Sequence, residues 1–227
     1  MSSFVLRVCL MMTAVGTLTY SRKYNLTEPI GEGITVTARV LHDNTTLETE
    51  TSADKSNILK SMNQKFRDMF KRVEKNFHAV NVRITFNVAT VKDLKQAKVL
   101  VEFNDTHNAL DGPKTLENLL YTQQEKINET GIVYLFTRRS VYSQIGEDDN
   151  VPIQKYHIES YGTFCTPNKS GAVIFYTDVE PEDFPFRATA RIFGSTRESH
   201  FEYKDFVYMN QTFQRCRKNV DVGMASP

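Results

Sequence analysis

The pattern of apolar residues predicts an α/β layered domain, on three observations. Residues 34–40 and 82–88 place apolar side chains at every second position, the signature of half-buried strands. Between them, residues 54–77 repeat apolar side chains at helical spacing. Two almost continuous apolar runs, GIVYLF at 131–136 and GAVIFY at 171–176, suit strands covered on both faces. Strands interleaved with helices in this order argue for helices layered on a sheet.

Taken in order, the chain opens with Arg7, a short apolar run over 8–15 and the small-residue site Ala14-Val15-Gly16, which reads as a cleaved export signal over residues 1–16. The other reading is a buried N-terminal strand. Residues 17–33, polar and carrying Pro29, Gly31 and Gly33, are expected to be an extended lead-in. The first strand follows on Ile34, Val36, Ala38 and Val40. Asp54 can cap the long helix, whose inward positions are Ile58, Met62, Phe66, Met69, Phe70, Val73 and Phe77. The second strand carries Val82, Ile84, Phe86 and Val88. Asp111-Gly112-Pro113 breaks the chain before a shorter helix with Leu116, Leu119, Leu120 and Ile127. With no internal repeat or low-complexity linker, residues 34–227 read as one domain.

Composition narrows the function. The chain has 227 residues, 40% of them hydrophobic, enough for a substantial core. Its formal charge of +1, from 28 basic and 27 acidic residues, leaves no overall field for nucleic acid or an acidic membrane. No run approaches the ~20 apolar residues of a membrane span. Removing residues 1–16 takes away Arg7 and Cys9, leaving 27 basic residues, 27 acidic residues and two cysteines. Asn25, Asn44, Asn104, Asn128, Asn168 and Asn210 each begin an Asn-x-Ser/Thr sequon, against about two expected from composition alone. An exported chain with two cysteines reads as carrying one disulfide, Cys165 to Cys216, worth about 4 kcal/mol by chain entropy; two free buried thiols are the alternative. These signals together predict a secreted glycoprotein.

The stretch 187–198, RATARIFGSTRE, carries the most information. Around it stand GIVYLFTRR at 131–139, GTFCT at 162–166, DFVYM at 205–209 and FQRC at 213–216. Together these resemble the metzincin zinc proteases, in particular the reprolysin type and its short secreted forms in blood-feeding and venomous arthropods. That family's signature is H-E-x-x-H-x-x-G-x-x-H-D, with two histidines on one helix face, a glycine that turns the chain and a third histidine completing the zinc site. On this spacing Arg187, Arg191 and Arg197 stand at the three ligand positions and Ala188 at the general-base glutamate. Gly194 keeps the turning glycine and Glu198 the acid after the third ligand. The resemblance implies a mixed, mostly parallel twisted sheet with long helices and a small C-terminal subdomain. It also implies a methionine turn at Met209 and a bond between Cys165 and Cys216.

A zinc ligand must offer a lone pair, whereas a guanidinium has five donors, no acceptor and a permanent charge. Without Ala188 as a carboxylate there is no base for the attacking water, a loss of about 10² to 10⁴ in rate by itself. The expectation is therefore a pseudoprotease with no catalytic residue, no metal and no cofactor, which acts by binding an extracellular protein or peptide. The alternative is an active metalloendopeptidase that recruits His157 or His200 with Glu198. A secreted carrier of another fold, such as a small β-barrel, is opposed by the long amphipathic helix. For the arginines two fates stand open: pairing with Glu198, Glu182 and Asp183, or forming a site for an anion or carboxylate.

Overall fold

The computed structural model describes residues 28–46, 55–94, 97–104, 106–145 and 149–223. The predicted export signal, most of the lead-in, Asn25 and the cap at Asp54 lie outside the described residues. In chain order the elements are β1 (Thr35–His42), α1 (Lys55–Ala79), β2 (Thr85–Asp93), β3 (Glu102–Phe103), β4 (Thr106–Asp111), α2 (Gly112–Gln123), β5 (Gly131–Thr137), β6 (Ser140–Ile145), β7 (Asp149–Lys155), β8 (His157–Glu159), β9 (Ser170–Phe175), α3 (Asp183–Ile192) and α4 (Tyr203–Gly223). Five strands form the main sheet in the order β2-β1-β5-β9-β8. The first four run parallel, and only β8, at the edge, is antiparallel to its neighbour β9. This is the mixed, mostly parallel α/β sheet expected from the sequence. A second sheet, β3-β4-β6-β7, has no counterpart in that reading.

β5 shows why a continuous apolar run marks the centre of such a sheet. All seven of its residues are buried, and alternation sends Ile132, Tyr134 and Phe136 into one core and Val133 and Leu135 into another. On the first face α1 packs with Met62, Phe66, Met69, Phe70, Val73 and Phe77 of the helical stripe read from the sequence, the side chain of its remaining member, Ile58, lying outside the described residues. Phe70 meets Tyr134 at 4.9 Å between ring centres and Phe77 meets Phe186 of α3 at 4.6 Å. On the other face α2 contributes Leu116 and Leu119. Asp111 caps α2 by accepting from the Lys114 N–H at 3.1 Å, with Pro113 in the first turn, where a missing N–H costs nothing.

β2 runs further than expected, beginning three residues later and ending at Asp93. Val82 is instead an isolated parallel bridge to Ile30, and Val82 and Ile84 are core residues ahead of the ladder. The polar end of β2 pairs because the ladder uses backbone groups, and a sheet edge tolerates polar side chains.

Candidate site on the third helix

α3 begins at Asp183 and holds Pro185 within its first turn, where no intrahelical donor is lost. Ala188, Thr189, Ala190 and Ile192 are completely buried, so the alternate face, with Arg187 and Arg191 one turn apart, looks outward. The helix stops in a Schellman motif: Gly194 N–H donates to the Arg191 carbonyl at 2.9 Å and Ser195 N–H to the Ala190 carbonyl at 3.0 Å. Gly194 has φ of +95°, a conformation that suits glycine. The returning chain is then fixed by Asp205, near the start of α4. Its carboxylate accepts from Thr196 N–H at 2.8 Å, Thr196 Oγ1 at 2.7 Å and Glu202 N–H at 2.9 Å. Burial works against this carboxylate, but its donors outweigh the penalty and hold it below the usual carboxylate range.

The arginines do not converge on a common point. Arg187 forks onto Asp183, with Nε to Oδ1 at 3.1 Å and Nη2 to Oδ2 at 2.9 Å, and lies 3.9 Å from Glu198. Arg191 donates Nε to Glu159 at 3.4 Å and Nη1 to the carbonyls of Ser195 and Thr196 at 3.0 and 2.9 Å. Its guanidinium also lies 4.5 Å from the ring centre of Tyr161, whose hydroxyl donates to the Gly194 carbonyl at 2.9 Å. Arg197, half exposed, pairs with Glu202. Of the three expected acidic partners, Asp183 and Glu198 meet Arg187, whereas Glu182 is drawn away to Arg72 of α1 at 3.0 Å. Glu159 and Glu202 were not foreseen; each comes from a different element and carries no local spacing signal.

Between these pairs sits His157 on the edge strand β8. Its buried ring places Nδ1 2.7 Å from Glu159 and Nε2 3.5 Å from Glu198. The fold thus assembles a contiguous polar network, Asp183, Arg187, Glu198, His157, Glu159 and Arg191, tying α3 to β8 and to the loop that follows the helix. His200 is exposed and its ring contacts Ser199, so it does not join His157 and Glu198.

Zinc does not fit this donor set. The signature positions offer guanidinium N–H groups and a methyl group, and both carboxylates beside His157 face an arginine. Among the described residues no group of three or more histidine, cysteine, aspartate or glutamate side chains is placed to hold a metal ion.

Met209 requires a correction. It lies in the second turn of α4, fully buried in the main core, and forms no turn. α4 begins at Tyr203, with Asp205 in its first turn, so the chain is already helical where the methionine is reached, and Phe206, Met209, Phe213 and Cys216 follow at three- and four-residue spacing as its inward stripe. Cys165 and Cys216 form a disulfide with 5.0 Å between their α-carbons, joining α4 to the loop between β8 and β9. Asn44, Asn104, Asn128 and Asn168 are exposed and Asn210 is half buried. No helix among the described residues is long and apolar enough to cross a membrane.

No protein-family model matches the chain, and no curated protein matches it. Solved structures do match, 69 chains in all. One is metalloproteinase-II from Bacteroides fragilis, 11% identical, superposing with a TM-score of 0.45 over 83% of this chain and 55% of its own. The chain therefore spans about half the length of that protein, and the α/β assignment rests on its own strand order and pairing.

Proposed function

We propose that this chain is a secreted, N-glycosylated and non-catalytic relative of the metzincin proteases, which acts by binding an extracellular protein or peptide. The observation that carries the reading is the outer face of α3. Arg187 and Arg191 stand one turn apart ahead of a helix-ending glycine, at the signature's ligand spacing, and both are engaged with carboxylates. Ala188 is buried with no group able to take a proton from water. A hydrolytic site would need electron-pair donors where this chain has cations. The disulfide and the exposed sequon asparagines support the secreted, glycosylated part of the reading.

The test is metal analysis and casein hydrolysis on pure, oxidised full-length protein. The expected result is zinc far below one per chain and no hydrolysis that a chelator suppresses. About one zinc per chain, the stoichiometry of a catalytic site, or chelator-sensitive cleavage would overturn the reading in favour of an active metalloendopeptidase built on His157 and Glu198.

A further inference from the structure

We propose that the cleft around Arg39 binds a small organic oxyanion, a carboxylate or phosphate group carried on a compact body. Val36, Ala38 and Val40 of β1 face the core under α1, so period-2 alternation turns Thr37 and Arg39 to the opposite face of the sheet. There α2 ends at Gln123, and the outer face of β2 stays exposed at Thr85, Asn87 and Ala89. The result is a cleft of about 340 Å³, floored by Thr37, Arg39, Ala89 and Thr90 and walled by residues 125–128.

Arg39 is held there by a dedicated contact. Its Nε donates at 3.0 Å to Oε1 of Gln123, a residue only 6% exposed. That bond uses one of the five guanidinium donors. Among the described residues no carboxylate comes within ion-pair distance of Arg39. A half-buried cation in the middle of a strand, oriented by a buried amide and lacking an acidic partner, has given up hydration without recovering it. An oxyanion gripped by the free side of the fork supplies that partner, and the Thr37 and Thr90 hydroxyls can donate to its remaining oxygens. The rim carries one acid and one base, Glu125 and Lys126, so Arg39 sets the sign of the cleft.

The sheet is also irregular at this point. The β1–β2 register shifts between Ala38 and Arg39, because Ala38 pairs with Val88 and Arg39 with Thr90. Ala89 is the extra residue of a bulge, and it lines the cleft. Bulges re-aim side chains and gather beside functional sites. The volume lies at the small end of ligand pockets, which points to a compact ligand rather than a peptide.

The experiment titrates inorganic phosphate, and separately benzoate, into oxidised full-length protein made without N-glycans, because Asn128 stands on the rim. Amide NMR shifts are the readout. Saturable shifts at Thr37, Arg39, Thr90 and Asn128 are expected for at least one probe, and which probe saturates first tells a phosphate source from a carboxylate source. Arg39→Gln should weaken binding by about tenfold or more, and Gln123→Leu by a few fold through loss of orientation. Lys114→Gln, on the far end of α2, is expected to leave it unchanged. Absence of saturable shifts with both probes up to ~50 mM, or binding by Arg39→Gln protein as tight as by the unsubstituted protein, would overturn the proposal. Neither result bears on the zinc and hydrolysis assays, so the two readings fail separately.

Discussion

Replacing Arg191 by methionine keeps an aliphatic stem and removes the charged fork, and its cost measures how far this side chain is structural. At 3.4 Å from Glu159, a unit-charge pair at an effective dielectric constant of about 20 is worth ~5 kcal/mol before desolvation. The two side chains are 28% and 12% exposed, so this is neither a free surface pair nor a fully buried one, and most of that attraction is offset by lost hydration and by solvent screening. A net coupling of about 1–2 kcal/mol remains. The variant also strips the donor from two carbonyls, each worth ~1 kcal/mol, and the cation from the Tyr161 ring, worth about 0.5–1 kcal/mol. These act through one group and do not add fully, so the expected loss for Arg191→Met is about 3 kcal/mol. Urea unfolding followed by circular dichroism gives this value. A cycle with Glu159→Gln and the double variant isolates the ion pair as its coupling energy. A loss below ~0.5 kcal/mol together with no measurable coupling would mean that Arg191 is free for a ligand, and the structural account of the cluster would be refuted.

Two further outcomes follow from buried polar groups. Burial holds His42 below its ordinary value, the nearby Asp43 and Asp93 only partly opposing it, and donors hold Asp205 low, so both have folded-state values beneath their unfolded ones. The stability each contributes is complete above the unfolded value, near 6.5 for histidine and ~3.9 for aspartate, and is lost as pH falls through the folded value. Urea midpoints measured from pH 8 to pH 3 should therefore fall in two stages, with His42→Asn flattening the upper one and Asp205→Asn the lower; a flat profile in the wild type would contradict both. In the core, the Tyr134 hydroxyl and Thr189 Oγ1 are 2.8 Å apart and the threonine donates onward to the Pro185 carbonyl at 2.6 Å. Tyr134→Phe should cost about 1 kcal/mol, while Thr189→Val strands a fully buried phenol and should cost about 1–3 kcal/mol. Thermal unfolding that ranks them the other way would show that the hydroxyl finds another partner.

The elements legible in the sequence are those whose burial is one-sided or complete. β1, β5, β9 and α1 put enough apolar side chains in the core to impose a period on the chain, and their residues are found where that period places them. The second sheet is illegible for the converse reason. β3 has two residues, and β6 and β7 alternate weakly, with Val141 buried beside the part-exposed Tyr142 and Ser143. They are joined by backbone ladders, β6 running parallel to β4 and antiparallel to β7. Met209 is a different case: the inward stripe of a helix and the floor of a turn put the same residue types at the same places, and the helix that runs from Tyr203 decides between them.

The acidic partners were the hardest to foresee, and they change what the cluster can do. Charge matched along the sequence gives Asp183 to Arg187 at i,i+4, but Glu159 and Glu202 reach Arg191 and Arg197 from β8 and from the N-terminal boundary of α4. Four carboxylates, those of Asp183, Glu198, Glu159 and Glu202, thus answer the three guanidiniums. An external anion arriving at α3 must displace a partner already in place and then sit among the released carboxylates. At Arg39 no such displacement is needed, because among the described residues its side-chain hydrogen bond is to the neutral amide of Gln123 and no carboxylate pairs with it. Two arginine environments in one chain therefore differ in sign of opportunity: the signature positions carry more positive charge and less capacity to bind, and the isolated residue on β1 carries less charge and an open fork.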